Sequence, residues 1–159
     1  RNEISLILDA NEFSIKKINK KINEGGKKKV FKSIINYDSL LAVSNNKTIQ
    51  IPGKVLDPLG LIYYLRKKEL KLLDTFEFNT YDNDKVKNIN VIAKQLEKIN
   101  TELGTYECIV IEPYSKTGNL LKNNGAMKIW FTNNNKKIPI KIENKTNFGT
   151  MTMILKTIE

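Results

Sequence analysis

The sequence predicts a mainly β fold, a curved antiparallel meander sheet or half-barrel with one short buried helix at about residues 57–68. Three observations carry that prediction. Apolar and polar residues alternate along most of the chain, the period of a half-buried strand. Turn-forming pairs such as Gly25-Gly26 and Asn45-Asn46 separate the runs, and connections that short suit antiparallel neighbours rather than parallel crossovers. A single stretch, VLDPLGLIYYLRKKEL from Val55 to Leu70, abandons the alternation. With 159 residues, 40% of them apolar, residues 1–159 read as one β domain with enough material for a core.

Strands are expected at Glu3 to Leu8 and Glu12 to Ile22, followed by a hairpin turn at Gly25-Gly26, where positive φ is needed. Further strands cover Lys29 to Tyr37, Leu40 to Ser44 and Thr48 to Ile51, and Pro52-Gly53 ends the run. After the helix, Phe76 and Phe78 share one face, and Asp82-Asn83-Asp84 makes a turn. Lys85 to Glu97 reads as a long strand, although KQLEKIN also fits a helix. Thr105 to Glu112 follows, then a loop from Ser115 to Gly125. Strands at Ala126 to Thr132, Ile138 to Glu143 and Thr150 to Ile158 complete the series, with Met151 and Met153 expected in the core. A meander of this kind has one face to cover.

The helix has identifiable start and stop signals. Asp57 is placed to accept a free backbone N–H, and Pro58 has the φ of a first helical residue. Leu59, Leu61, Ile62, Tyr63 and Leu65 leave no clean polar face, which predicts a helix buried all round as the plug of the sheet. Gly60 costs about 1 kcal/mol relative to Ala in such a position, so it predicts a close approach to neighbouring backbone. Arg66, Lys67 and Lys68 complement the C-terminal carbonyls.

Composition narrows the chemistry. The formal charge of +10 suits an anionic partner, but the lysines are scattered through the sequence. No recognition helix or stacking-aromatic motif accompanies them, which argues against nucleic acid. The chain has no histidine, hence no Ser-His or Cys-His pair and no imidazole metal ligand. Cys108 is the single cysteine and sits mid-strand in TYECIVIE, the place of a small buried hydrophobe. Gly25-Gly26 lacks the Lys-Ser or Lys-Thr of a phosphate loop. Asp82 and Asp84 read as turn residues rather than a calcium or catalytic pair. No cofactor, no metal and no membrane-spanning segment are expected, and no catalytic residue is nominated.

Several blocks resemble the DUF3108 family of bacterial exported proteins of unknown function. LDPLGLIYYLR (Leu56 to Arg66) resembles its "DPLSLLYYLR" signature. GTYECIVIEP, MKIWFTNNNKKIPIKIE and NFGTMTMIL follow in the family's order, and KINEGGKKK with INYD resembles the segment before the helix. The resemblance runs from about Lys21 to Ile158. It implies a largely antiparallel β architecture, export to the periplasm or cell envelope, no established activity, and further N-terminal strands ahead of Arg1. Gly60 stands where the family usually has Ser, Leu73 where it often has Gly, and Asn133-Asn134 where acids are common.

Tyr63, Tyr64, Arg66 and Trp130 are the candidate ligand-binding residues. The Arg66 guanidinium can grip a carboxylate or phosphate in two-point fashion beside the tyrosines, or form a structural ion pair with Asp74 or Glu112. Trp130 can line a lipid cavity, or cover the edge of the core with its indole N–H toward water. The expected function is non-enzymatic binding or carriage of a hydrophobic ligand such as a lipid within the curved sheet. The alternative is a structural or interaction module docking an envelope partner or anionic glycan.

Overall fold

The computed structural model describes residues 2–113, 127–146 and 149–158. Among the described residues the fold is mainly β with a single helix, and the strands form two antiparallel meanders without a closed barrel. The first comprises β1 (Glu3–Leu8), β2 (Ile15–Glu24), β3 (Lys27–Asn36), β4 (Leu41–Ser44) and β5 (Thr48–Gln50), in spatial order β1-β2-β3-β4-β5. Helix α1 (Pro58–Lys67) follows. The second comprises β6 (Thr75–Asp82), β7 (Lys85–Thr101), β8 (Gly104–Pro113), β9 (Met127–Thr132), β10 (Pro139–Thr146) and β11 (Gly149–Ile154), each beside its sequence neighbour. The expected loop at Ser115 to Gly125 and the turn at Asn147 lie outside the described residues.

Turn chemistry sets the register. Gly25 (φ 56°) and Gly26 (φ 76°) are both left-handed, as are Asn83 (φ 46°) and Asp84 (φ 58°). Two central residues of positive φ give a turn whose twist matches the flanking strands. The KQLEKIN segment is strand, part of the 17-residue β7, and pairs with β8 through a bulge between Ala93 and Gln95. The second strand starts later than its alternation suggests. The Asp9 carboxylate accepts the backbone N–H groups of Asn11 (2.9 Å) and Glu12 (3.1 Å), turning the chain before Phe13 enters at φ 56°.

The chain divides into two compact units, Arg1–Tyr64 with Phe78–Asn88, and Leu65–Glu77 with Ile89–Glu159. In the first, Ile15, Ile18, Phe31, Ile35, Ala42, Ile51, Val55 and Tyr81 form a core. Each fully buried aliphatic among them contributes about 1.5–3 kcal/mol. Leu56 bridges Thr80 in a parallel pair, its N–H on Asn79 O (2.9 Å) and its carbonyl on the Tyr81 N–H (3.0 Å). In the second unit, Cys108, Val110, Trp130 and Ile140 pack together, with Ile138 and Leu155 against them. Four successive residues are buried in β8 (Cys108 to Ile111) and in β9 (Ile129 to Thr132). These middle strands are therefore covered on both faces, not one.

Two expectations are corrected. The helix is not buried all round: Leu61, Ile62 and Leu65 are buried, whereas Leu59 and Tyr63 are about half exposed. Residues four apart share a helix face, so Leu59 and Tyr63 together form its open stripe. Met151 and Met153 are also about half exposed, because every residue of the edge strand β11 is open to solvent.

Gly60 makes the close approach its sequence position predicts. A Cβ there would lie 2.7 Å from the Phe13 carbonyl oxygen and 3.0 Å from Asp57 Oδ1. Gly60→Ala should therefore destabilise the protein by about 1–3 kcal/mol despite the better helix propensity of Ala. Urea unfolding measures this, and an Ala variant as stable as the parent would refute the contact.

Candidate functional site

The β1–β2 turn of the first unit builds one wall of an open cleft of about 510 Å³. Asp9, Glu12 and Lys16 come from that turn and the strand after it, Tyr37 and Leu40 from the β3–β4 connection, and Lys54 from the segment before the helix. The Tyr37 hydroxyl donates to the Ile15 carbonyl at 2.7 Å, which holds the ring in place, and burial raises its pKa. Leu40 sits at φ 54°, unusual for a residue other than glycine. Its carbonyl accepts the Ile51 N–H at 2.9 Å, so the backbone is pinned in that conformation.

Charges line this cleft in opposed pairs. Lys16 lies 3.0 Å from Asp9, and Lys54 pairs with Glu12. The Asn11 N–H, the Lys16 ammonium and the Glu12 N–H together lower the Asp9 pKa to about 2. Glu12 raises that of Lys54. A carboxylate held so low is a poor proton acceptor at neutral pH, and a lysine held up is a poor nucleophile. The cleft is thus suited to binding through paired charges and a partly apolar lining.

A second, smaller depression of about 190 Å³ lies in the other unit, lined by Thr132, Asn133, Asn134 and Lys137 among others. Its polar groups are largely engaged locally. Asn133 Nδ2 donates to Glu107 (2.8 Å), and Thr132 and Asn134 share a hydrogen bond of 3.0 Å.

The four residues singled out by sequence line neither depression. Tyr63 stacks on Phe13 with ring centroids 5.7 Å apart, while Tyr64 meets Phe78 edge-on at 5.4 Å. Among the described residues Arg66 forms no ion pair with Asp74 or Glu112, and its buried Nε has no hydrogen-bond partner. Glu112 is held by Lys94 and Lys128, which overcome the effect of burial and lower its pKa. Trp130 is only 4% exposed and directs its indole N–H at Glu97 (2.7 Å) rather than at water. Lys141 lies 4.4 Å over its ring. The ring is thus enclosed, with its polar edge on Glu97 and a cation over its face. Cys108 is buried, and its thiol is pushed up to about 11 by burial and by Glu97 and Glu107.

Sequence reasoning missed the cleft residues and a buried polar chain elsewhere in the same unit. The Tyr81 hydroxyl donates to Asp84 Oδ1 (3.0 Å), shares a 2.9 Å hydrogen bond with Ser33, and has its pKa raised to about 12, chiefly by burial. Asn46 Nδ2 reaches the other Asp84 oxygen at 3.3 Å. Asp84 therefore ties the tip of the β6–β7 hairpin to the first sheet. The only sequence hint was an acidic residue in the second position of a tight turn.

A family model for DUF3108, a protein of unknown function, matches residues 1–156. The chain belongs to the DUF3108 family. The match extends some twenty residues upstream of Lys21, so β1 and the cleft turn lie within the family's span. No curated protein and no solved structure matches. Among the described residues, no helix of this family member is long and apolar enough to cross a membrane.

Two predictions follow from the geometry. Tyr81→Phe leaves the buried Asp84 oxygen without its donor and should cost about 1–3 kcal/mol in urea unfolding; an unchanged midpoint would contradict the network. The Asp9 carboxyl titrates at about 2 when folded against 3.8 as a free side chain. Its stabilising effect is complete above about pH 4 and is lost as the pH falls toward 2. The stability gap between wild type and Asp9→Asn should narrow across that interval, and a gap independent of pH would exclude the ion pair.

Proposed function

We propose that this protein is a non-enzymatic binding protein of the bacterial cell envelope that takes a ligand with a hydrophobic body, such as a lipid, in the Tyr37–Leu40 cleft. The observation that carries the reading is the cleft itself, whose volume falls within the ~300–1,000 Å³ typical of ligand sites. Its lining offers Tyr37 and the exposed Leu40 side chain to an apolar body, and Lys16 and Lys54 to a polar head group. Leu40 at positive φ supports the same reading, since unfavourable backbone conformations cluster where a ligand is gripped. Pairing of Asp9 and Glu12 with lysines favours binding over acid–base catalysis. The envelope setting rests on the exported character that the family resemblance implies.

An interaction module is the second reading, and β11 favours it. This strand lies at the edge of its sheet with Met151 and Met153 exposed, an arrangement to which another chain can add.

Titration with a fluorescent fatty acid tests the ligand reading. The wild type should bind it saturably. Leu40→Asn keeps a residue tolerant of positive φ and strips apolar lining. It should weaken binding by roughly tenfold, the equivalent of about 1.5 kcal/mol of lost apolar burial, with thermal stability unchanged. Absence of saturable binding, or equal binding by the variant, would overturn the proposal.

A further inference from the structure

The outer face of the five-stranded sheet is an unpartnered surface of mixed aliphatic and basic character. Cross-strand pairing places Ile7, Lys17, Ile34, Val43 and Thr48 in one row across all five strands. Neighbouring rows carry Ser5, Asn19 and Lys32, then Glu3, Lys21 and Val30, then Asn23 and Lys28. Ile34 is 58% exposed, Ile7 54%, Val30 50% and Val43 47%. Four branched aliphatics left this open form an apolar stripe running through four lysines, against which the face sets one carboxylate. Glu3 lies 3.5 Å from Lys21, whereas Lys17, Lys28 and Lys32 make no ion pair among the described residues.

From this juxtaposition we infer that the outer face of the β1–β5 sheet docks on the surface of an anionic lipid bilayer. Charge complementarity selects the partner's sign: unpaired ammonium groups on a face with a single acid attract an anionic surface. The aliphatic side chains select its kind. A single-stranded nucleic acid would be met with stacking aromatics, which this face lacks, and the phosphates of a duplex would leave the four exposed aliphatics without an apolar partner. A bilayer interface rewards both features at once, taking shallow apolar side chains beneath the head groups while phosphates meet the lysines. The proposal concerns a surface separate from the Tyr37–Leu40 cleft and stands whether or not that cleft holds a lipid.

Flotation of the protein with vesicles of phosphatidylcholine, alone and mixed with phosphatidylglycerol, tests it. The wild type should float with the anionic vesicles only, and high salt should release it. Lys17→Glu combined with Lys32→Glu should lower partitioning by at least ~tenfold. If that reversal fails to fold, the paired change to Gln should still lower it. Ile34→Ser should also lower partitioning while leaving retention on a soluble polyanion such as heparin, and the thermal midpoint, unchanged. Leu40→Asn should float as the wild type does. Equal flotation with neutral vesicles, no flotation, or an Ile34→Ser variant that floats normally would overturn the inference, the last pointing to a soluble polyanion. Loss of flotation in Leu40→Asn would also overturn it, by assigning vesicle binding to the cleft.

Discussion

The contact between Gly60 and the Phe13 carbonyl is the constraint on which the first unit depends. The Phe13 backbone occupies the space a side chain would need, so the first turn of α1 seats directly on the β1–β2 turn. Asp57 caps the same turn of helix, accepting the Gly60 N–H at 2.7 Å. That cap is buried, and burial raises the Asp57 pKa even though backbone N–H groups oppose the rise. Tyr63, one turn further on, stacks against the Phe13 ring. Helix and turn therefore hold each other through backbone and ring, while the cap fixes the start of the helix. The same turn presents Asp9 and Glu12 to the cleft, so the geometry of the candidate site follows from helix docking.

Charge is distributed by role. Most carboxylates that might serve as bases are engaged: Asp9 by Lys16, Glu12 by Lys54, Asp82 by Lys20, and Glu112 by two lysines. Glu97 is lowered first by the Trp130 indole N–H, a hydrogen bond that favours its charged form. Pairs of this kind that face solvent add little to stability. For Asp9 and Glu112 the consequence is chemical, because a carboxylate whose pKa is lowered beside a cation does not readily take up a proton. Part of the excess of lysine over acid lies on the outer face of the five-stranded sheet, where Glu3 is the one carboxylate among four lysines. Lysines 17, 21, 28 and 32 are spread over sixteen residues of sequence, yet cross-strand pairing gathers them on one face.

Two features of the first unit combine strain and burial in ways that a local reading does not reveal. Phe13 and Leu40 both adopt positive φ, and each is held by a backbone hydrogen bond, Phe13 N–H to Asp9 O and Ile51 N–H to Leu40 O. Tertiary contacts overrule the intrinsic preference of a bulky residue at both positions. The Tyr81–Asp84–Asn46 chain is comparable. A tight-turn aspartate that ordinarily faces water is drawn inward because its hairpin tip lies on the first sheet.

The amino-acid pattern alone determined the β class, the positions of nearly every strand, the capped helix at Asp57-Pro58, the glycine contact and the family. Those properties depend on period, turn chemistry and local capping, which act over a few residues. Tertiary structure alone decided that the strands divide into two sheets, that β8 and β9 are covered on both faces, and that Trp130 turns inward to Glu97. It also decided that Leu59 and Tyr63 remain open, and that Asp9, Tyr37, Leu40 and Lys54 meet at one cleft. Pairing across strands joins residues tens of positions apart, and alternation shows which side chains share a face of one strand without showing what covers that face.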